Sequence, residues 1–291
     1  MAEPEKEEDS ADYTGINILT FVIITVIYYA FLKPVWKLHN LKDADSVADT
    51  ARNQKYMAAI YFMIVLFFQF IINANSMTHK CGGSVGSNIA AAAGMTVWPW
   101  IFIFGIMMLF IMAFPGMKTA FSDVIGYFAV SYSANNLLAD LLIDTEVDAQ
   151  LKAENVDDKT REAMQSAAQA IVKLMGNVSI LVNQVVPGNF MKYWETLTPL
   201  MKPKYANDPD GAPTLAKKEK FLELATFRDN IGEACWYLYT GIFLIMIIQN
   251  NIVTYKCDTD PRLMNAKYDE YQEQQKQKEE AAKNEELNYK M

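Results

Sequence analysis

The sequence contains four separated apolar stretches, each about as long as a segment that crosses a lipid bilayer. They are Ile16–Leu32, Tyr56–Ile72, Trp98–Phe114 and Trp236–Val253, and none of them carries a charged side chain. Charged residues make up 21% of the chain, and each one costs about 2.5–3.5 kcal/mol at the centre of a bilayer. We therefore predict a mostly α, four-span integral membrane protein.

The length of these stretches favours a thin membrane. Each stretch has about 17 residues, which gives about 25 Å of helix at 1.5 Å per residue. The hydrocarbon core of a typical bilayer is about 30 Å thick, and that of the endoplasmic reticulum is a few Å thinner. The spans thus favour a membrane derived from the endoplasmic reticulum.

The third stretch has an ambiguous start, because its apolar character begins before Trp98. Trp98 and Trp100 flank Pro99; tryptophan favours the headgroup level, and proline is tolerated in the first turn of a helix. We place the membrane boundary at Trp98, with both tryptophans at the interface. Residues 88–97 are then a small-residue segment at the membrane surface.

Basic residues in the connectors predict the orientation. The first connector, residues 33–55, holds five of them, whereas the second connector, residues 73–97, is Gly-rich and holds only Lys80. Short basic loops stay cytoplasmic. We expect the first connector and residues 115–235 on the cytoplasmic face, and the acidic N-terminal tail (residues 1–15), the second connector and the polar tail (residues 254–291) on the other. The five basic residues are Lys33, Lys37, Lys42, Arg52 and Lys55.

Residues 115–235 are too many for a simple loop and predict a mainly helical extramembrane domain. Phe121–Ile143 is expected to be an interfacial or domain-core helix, and Lys159–Met175 a second amphipathic helix. From Thr214 the pattern is helical without a break, so one helix of about 214–254 should leave the domain and enter the membrane. The tail, residues 254–291, reads as a solvated helix or as disordered. The apolar residues at helical spacing in the first helix are Phe121, Val124, Ile125, Phe128, Tyr132, Leu138, Leu141 and Leu142.

Catalytic and metal-binding patterns are not found. Gly82–Gly86 matches the G-x-S-x-G pattern of hydrolases but lies in a short loop between spans, where the strand and helix that the motif requires do not fit. His79 and Cys81 are too few ligands for a metal site. We therefore predict no enzyme, no cofactor and no metal. The net charge of −8 argues against a nucleic-acid partner.

Cys81 and Cys257 are predicted on the same, non-cytoplasmic face, near the ends of two spans. A disulfide can join them if these spans are neighbours; the alternative is free thiols. The sequon Asn177-Val178-Ser179 falls on the predicted cytoplasmic face, where it should stay unmodified.

The junction after the third span, Phe114–Tyr127, reads FPGMKTAFSDVIGY. It resembles a segment of membrane proteins of nucleocytoplasmic large DNA viruses of the algal-virus type, with Met117 where an aromatic residue is expected and Asp123 in place of Asn. The resemblance implies a minor capsid protein in the internal membrane of a virion, derived from the host endoplasmic reticulum. Its partners would be the lipid bilayer and the major and minor capsid proteins. It implies no catalytic residue.

The same junction has the features of a membrane exit. Pro115 and Gly116 follow the span, and Gly116 can free the backbone there. Lys118 suits the headgroups, and Phe121 and Tyr127 suit the interface. We expect these five residues to fix where the domain leaves the bilayer.

Two alternative functions remain open. One is a pore formed by a homo-oligomer, with polar span residues lining it; the other is a cellular membrane adaptor. The candidate pore-lining residues are Gln69, Asn73, Gln249 and Asn250.

Overall fold

The computed structural model describes residues 5–82, 85–142 and 178–257, together with residues 272, 273 and 276. The described residues form helices and no strand. Four helices are long and apolar enough to cross a membrane: Tyr13–Leu32, Ala44–Cys81, Asn88–Ala113 and Ala212–Thr254. The predicted mostly α, four-span architecture is therefore confirmed.

Nine α-helices make up most of the described chain, and short 3-10 and π turns connect or extend several of them. The helices are α1 (Glu5–Ile27), α2 (Ala44–Cys81), α3 (Val85–Pro99), α4 (Ile106–Ala113), α5 (Thr119–Phe121), α6 (Tyr127–Leu141), α7 (Phe190–Leu197), α8 (Pro203–Ala206) and α9 (Ala212–Thr254). The π turns are Tyr28–Leu32, Trp100–Gly105 and Ser122–Gly126, and the 3-10 helices are Leu38–Leu41, Pro115–Lys118, Val178–Gln184, Pro187–Asn189 and Thr198–Leu200.

Several predictions fall outside the described residues. These are the amphipathic helix Lys159–Met175, the tail after Cys257 apart from three residues, Asn177 of the sequon, and Gly83 and Ser84 of the G-x-S-x-G pattern.

The helix of the third span is longer than we predicted. Residues 88–97 are helical and belong to the apolar segment Asn88–Ala113. Pro99 lies inside the helix, and the π turn Trp100–Gly105 follows it directly. Membrane helices tolerate proline where local adjustments of this kind re-satisfy the backbone. Pro99 is therefore not the start of a helix, and the membrane boundary at Trp98 stays a prediction.

Helix α9 confirms the prediction of one long helix from the domain into the membrane. It runs over 43 residues, from Ala212 to Thr254, without interruption. Pro213 lies in its first turn, where the missing backbone N–H is not needed. Gly232 is the one helix-weakening residue between this start and the charge-free segment at Trp236.

The chain divides into two compact units. One consists of Met1–Ile18, Leu66–Pro99 and Ile245–Met291, and the other of Leu19–Val65 and Trp100–Leu244. The second unit contains the extramembrane domain and its hydrophobic core. Buried side chains of α6, of the 178–185 segment, of α7 and of α9 build this core, among them Leu138, Val182, Trp194 and Phe221.

The apolar stripe predicted for residues 121–142 divides into two faces. Leu138, Leu141 and Leu142 are buried in the core, as expected of a domain-core helix, whereas Phe128 and Tyr132 are exposed. Both groups lie in the regular α-helix that follows the π turn Ser122–Gly126. At about 3.6 residues per turn, Phe128 and Tyr132 lie on the opposite side of α6 from Leu141. The residues that α6 buries in the stretch nearest the π turn are Val130 and Ala134 instead.

Candidate functional site

The most unusual site in the second unit is a buried cluster of four charged side chains, which we call the ionic cluster. It consists of Lys33, Lys118, Asp229 and Glu233. Lys33 Nζ lies 2.7 Å from Glu233 Oε1, and Lys118 Nζ lies 2.8 Å from Glu233 Oε2 and 3.1 Å from Asp229 Oδ2. The side chains of Lys33 and Glu233 are only 5% and 8% exposed. The cluster joins the residue after the first span, the residues after the third span and α9.

The local sequence explains why these groups meet. Asp229 and Glu233 lie four residues apart, so both carboxylates project from the same face of α9. Lys33 directly follows the π turn Tyr28–Leu32, and Lys118 ends the 3-10 turn Pro115–Lys118. The hydroxyl of Tyr29 also donates a hydrogen bond to Glu233 Oε1, at 3.0 Å. Each carboxylate oxygen of Glu233 therefore accepts a charge-assisted hydrogen bond.

The cluster is electrically balanced, with two ammonium groups and two carboxylates. Burial alone would lower the pKa of the Lys118 ammonium, but Glu233 and Asp229 outweigh that effect and raise the pKa above its ordinary value. Lys118 therefore remains charged at neutral pH. Because a buried charge without a partner is costly, each member depends on the others.

Two glycines allow the backbone after the third span to approach α9. A Cβ atom on Gly126 would lie 2.5 Å from the carbonyl oxygen of Arg228, and one on Gly232 would lie 2.6 Å from Ser122 Cβ. The indole of Trp236 adds a third contact, since its Nε1 donates to the carbonyl oxygen of Met117 at 2.9 Å. Residues 117–126 are thus held closely along α9.

The structure shows what the predicted interface residues contact. Lys118 is in the ionic cluster, where two carboxylates on α9 face it. The Phe121 ring packs edge-on against Trp236, with ring centroids 5.0 Å apart, and the Tyr127 hydroxyl hydrogen-bonds Ser179 Oγ at 2.8 Å. These three side chains therefore contact the protein itself.

The remaining interface candidates differ in exposure. Trp98 is 59% exposed, but Trp100 is fully buried against Phe21 and Phe104. Pro115 and Gly116 are exposed. Gly116 does not have positive φ, which among the described residues occurs only at Gly82, so the turn at the membrane exit does not require its conformational freedom.

Sequence reasoning missed Lys33, Asp229 and Glu233 as site residues, although the sequence contained a signal for them. Asp229 and Glu233 face the same way on a helix that was predicted to enter the membrane three residues after Glu233. Acidic groups so close to lipid need cationic partners. Lys33 was used to predict the orientation of the chain, and Lys118 was assigned to the lipid headgroups. Neither was considered as a partner of Asp229 or Glu233.

Arg228 is a further buried cation that the sequence reasoning did not single out. Its side chain is fully buried, and its Nη1 donates to the carbonyl oxygen of Val182. Asp123 Oδ1 lies 3.8 Å from the same nitrogen. Arg228 thus ties the 3-10 helix Val178–Gln184 to α9.

The first unit contains a second buried site, which we call the amide cluster. Its centre is Asn73, whose Oδ1 accepts hydrogen bonds from Asn17 Nδ2 at 2.8 Å and from Gln249 Nε2 at 2.7 Å. Asn73 Nδ2 donates to Thr96 Oγ1 at 3.0 Å, and Gln69 Nε2 donates to the carbonyl oxygen of Asn17 at 3.2 Å. One residue or more from each of the four spans takes part. All five residues are buried.

Replacement of Asn73 by leucine should destabilise the protein. The change removes three hydrogen bonds and leaves the amides of Asn17 and Gln249 without their acceptor. Hydrogen bonds between membrane helices contribute about 0.6 kcal/mol on average and up to about 1.7 kcal/mol, so we expect a loss of about 2 kcal/mol. Thermal unfolding in detergent micelles measures it. Asn250→Leu is the matched control, because Asn250 is exposed; an equal effect of the two changes would contradict the role of the cluster.

Cys81 and Cys257 are joined by a disulfide, with their Cα atoms 5.4 Å apart. The bond links the end of α2 to the residues just beyond α9. Lys80 supports the same junction, since its ammonium group donates to the carbonyl oxygens of Ile252 and Val253 in the last turn of α9. Lysine commonly satisfies carbonyl groups at a helix C-terminus in this way.

This bond predicts a defined thiol count. Of the three cysteines, only Cys235 is free. Alkylation of the unfolded, unreduced chain should therefore add one label, on Cys235, and alkylation after reduction should add three. Mass spectrometry of the intact chain and of its peptides reads both numbers. Three labels before reduction would show that Cys81 and Cys257 are thiols.

The two clusters and the disulfide hold helices together, and neither cluster contains an arrangement typical of catalysis. Among the described residues there is no group of three or more His, Cys, Asp or Glu side chains close enough to hold a metal ion. Comparison of the chain with protein-family models, with curated proteins and with solved structures finds no match.

Proposed function

We propose that this protein is a structural membrane protein of a large DNA virus, which anchors the internal viral membrane to the capsid shell as a minor capsid protein. One observation carries the proposal: the segment that resembles viral membrane proteins, Phe114–Tyr127, is the segment that is fastened to α9. Lys118 pairs with Asp229 and Glu233, and Gly126 lies against the Arg228 backbone. The segment couples the extramembrane core to a membrane span.

This coupling suits a mechanical role. α9 continues from the domain core into the span, and the ionic cluster adds the ends of two further spans to it. A load on the domain would therefore reach three spans at once. The proposal contains no catalytic step, and the candidate partners are the lipid bilayer and the major and minor capsid proteins.

The disulfide supports the proposed orientation. Disulfides form and persist in the lumen of the endoplasmic reticulum and are rare in the cytosol. A bond between Cys81 and Cys257 thus favours a lumenal second connector and C-terminal end. The domain at residues 115–235 would then be cytoplasmic, where a virus that assembles on the cytoplasmic face of an ER-derived membrane places its shell.

Cross-linking mass spectrometry of intact particles tests the proposal. Lysine-reactive cross-linkers should join the exposed Lys204 and Lys220 of the domain to a major or minor capsid protein. Links confined to copies of this chain would contradict the viral role and favour the pore. Links to cellular membrane proteins in uninfected cells would favour the adaptor.

The polar span residues give little support to a pore. Gln69, Asn73 and Gln249 are buried in the amide cluster, and only Asn250 of the candidate pore-lining residues is exposed. Purified protein in liposomes should therefore show no ion flux above that of empty liposomes. A flux above that level would restore the pore as the better explanation.

A further inference from the structure

The second unit exposes one continuous apolar helix face outside the charge-free spans. It consists of Val124, Ile125, Phe128 and Tyr132, which are 66%, 45%, 84% and 80% exposed, and we call it the α6 apolar face. These positions follow one another at helical spacing across the π turn and the first turns of α6. An aromatic and aliphatic face of this kind is typical of an interaction site.

Most of this face lies beyond the reach of lipid. Gly126 packs against Arg228, eight residues before Trp236, where the charge-free segment of α9 begins; at 1.5 Å per residue this is a distance of about 12 Å. Phe128 is about 3 Å further from the membrane and Tyr132 about 9 Å further. A headgroup layer is only about 5–8 Å thick on each side. A partner that covers Phe128 and Tyr132 is therefore a protein and not lipid.

The face points sideways, parallel to the membrane plane. Gly126 lies next to Arg228, and Asp140 pairs with Lys217 at 2.6 Å, so α6 runs antiparallel to α9 on its way out of the bilayer. Side chains stand roughly perpendicular to a helix axis. Their partner must therefore be a neighbour that presents apolar groups at the same height above the membrane. A second copy of this chain in the same membrane meets this condition automatically.

The charge pattern agrees with contact between two copies. The chain has a net charge of −8, and like charges oppose association. Residues 124–139 contain no charged side chain, whereas the outward side of α9 exposes Glu219, Lys220 and Glu223. Of these two surfaces, the α6 apolar face is the one on which two copies can meet without charge repulsion.

We infer that two copies of this chain pair through their α6 apolar faces, about a two-fold axis along the membrane normal. Such an axis brings each face against the same face of the other copy. Phe128 of one copy then lies near Phe128 of the second. The inference does not depend on the viral role, and its failure would leave that proposal unchanged.

Cysteine cross-linking in membranes tests the pairing. Phe128→Cys is introduced together with Cys235→Ser, so that the introduced cysteine is the one free thiol, and the protein is reconstituted at a low protein-to-lipid ratio. Mild oxidation should produce a species of twice the 33.0 kDa chain mass that reduction returns to one chain. Glu223→Cys in the same background is the matched control, and after oxidation it should keep the mass of one chain. Equal yields from the two positions, or no dimer from Phe128→Cys, would overturn the inference.

A second measurement does not depend on the introduced thiol. Native mass spectrometry of the unmodified chain should show a dimer, and the double change Phe128→Ser and Tyr132→Ser should give a monomer with unchanged far-ultraviolet circular dichroism. A benzophenone amino acid at position 128 identifies the contact. Adducts with this chain support the pairing, while adducts with lipid alone or with a different protein contradict it.

Discussion

Glu233→Gln should destabilise the protein by about 3 kcal/mol or more. The change keeps the size of the side chain and removes the charge on which both Lys33 and Lys118 depend. Asp229 then remains as the one carboxylate for two buried ammonium groups, and it contacts only Lys118. Removal of one member of a buried ion pair leaves an uncompensated charge, which is the costly outcome. Thermal or denaturant unfolding in detergent micelles, followed by circular dichroism, measures the change.

The control variant, Glu223→Gln, lies on the same helix. Glu223 pairs with Lys220, but their side chains are 60% and 50% exposed, and such surface pairs contribute little. Glu223→Gln should therefore change stability by less than about 0.5 kcal/mol. Combining Glu233→Met with Lys33→Met should recover part of the loss, because a buried apolar pair replaces a buried charge. Equal effects of Glu233→Gln and Glu223→Gln would show that the ionic cluster does not hold the spans.

Gly126→Ala should have the next largest effect. Its new methyl group would lie 2.5 Å from the backbone oxygen of Arg228, and a backbone atom of a long helix cannot move aside as a flexible side chain can. Overpacking of this kind costs about 1–3 kcal/mol. We expect a loss at the upper end of that range, together with weaker contact between residues 117–126 and α9. The measurement is again the unfolding transition in micelles.

Gly116→Ala is the matched control for this change. A Cβ atom at Gly116 meets nothing within 4 Å, and Gly116 does not have positive φ. Alanine there should be neutral or slightly stabilising, because it reduces the freedom of the unfolded chain. A loss at Gly116→Ala as large as that at Gly126→Ala would mean that the junction depends on glycine flexibility and not on close approach.

The spans were predictable because the cost of a charged side chain in lipid applies along the whole length of a membrane-spanning segment. A charge-free segment such as Tyr56–Ile72 has few structural alternatives. The helix α9 contains no proline after its first turn, so it continues from the domain into the charge-free segment at Trp236. The helix of the third span was predicted too short because Pro99 matches a helix start signal. A π turn follows Pro99, and no local sequence pattern predicts that turn.

The site was less predictable because its members are distant in sequence. Lys33 and Glu233 are 200 residues apart, and only the packing of the helices brings them together. The same applies to Cys81 and Cys257, whose pairing the sequence raised as one of two alternatives. Phe128 was assigned to the same stripe as Leu141, but thirteen residues of regular helix place the two about 140° apart around α6.

We propose that the chain crosses the membrane with residues 115–235 on one face and residues 254–291 on the other. Protease cleavage sites inserted at Asp208–Gly211 and after Cys257 test it in sealed microsomes. We expect cleavage at the first site and protection of the second until detergent is added, with Asn177 unglycosylated. Cleavage of both sites in sealed vesicles, or a glycan on Asn177, would contradict this topology.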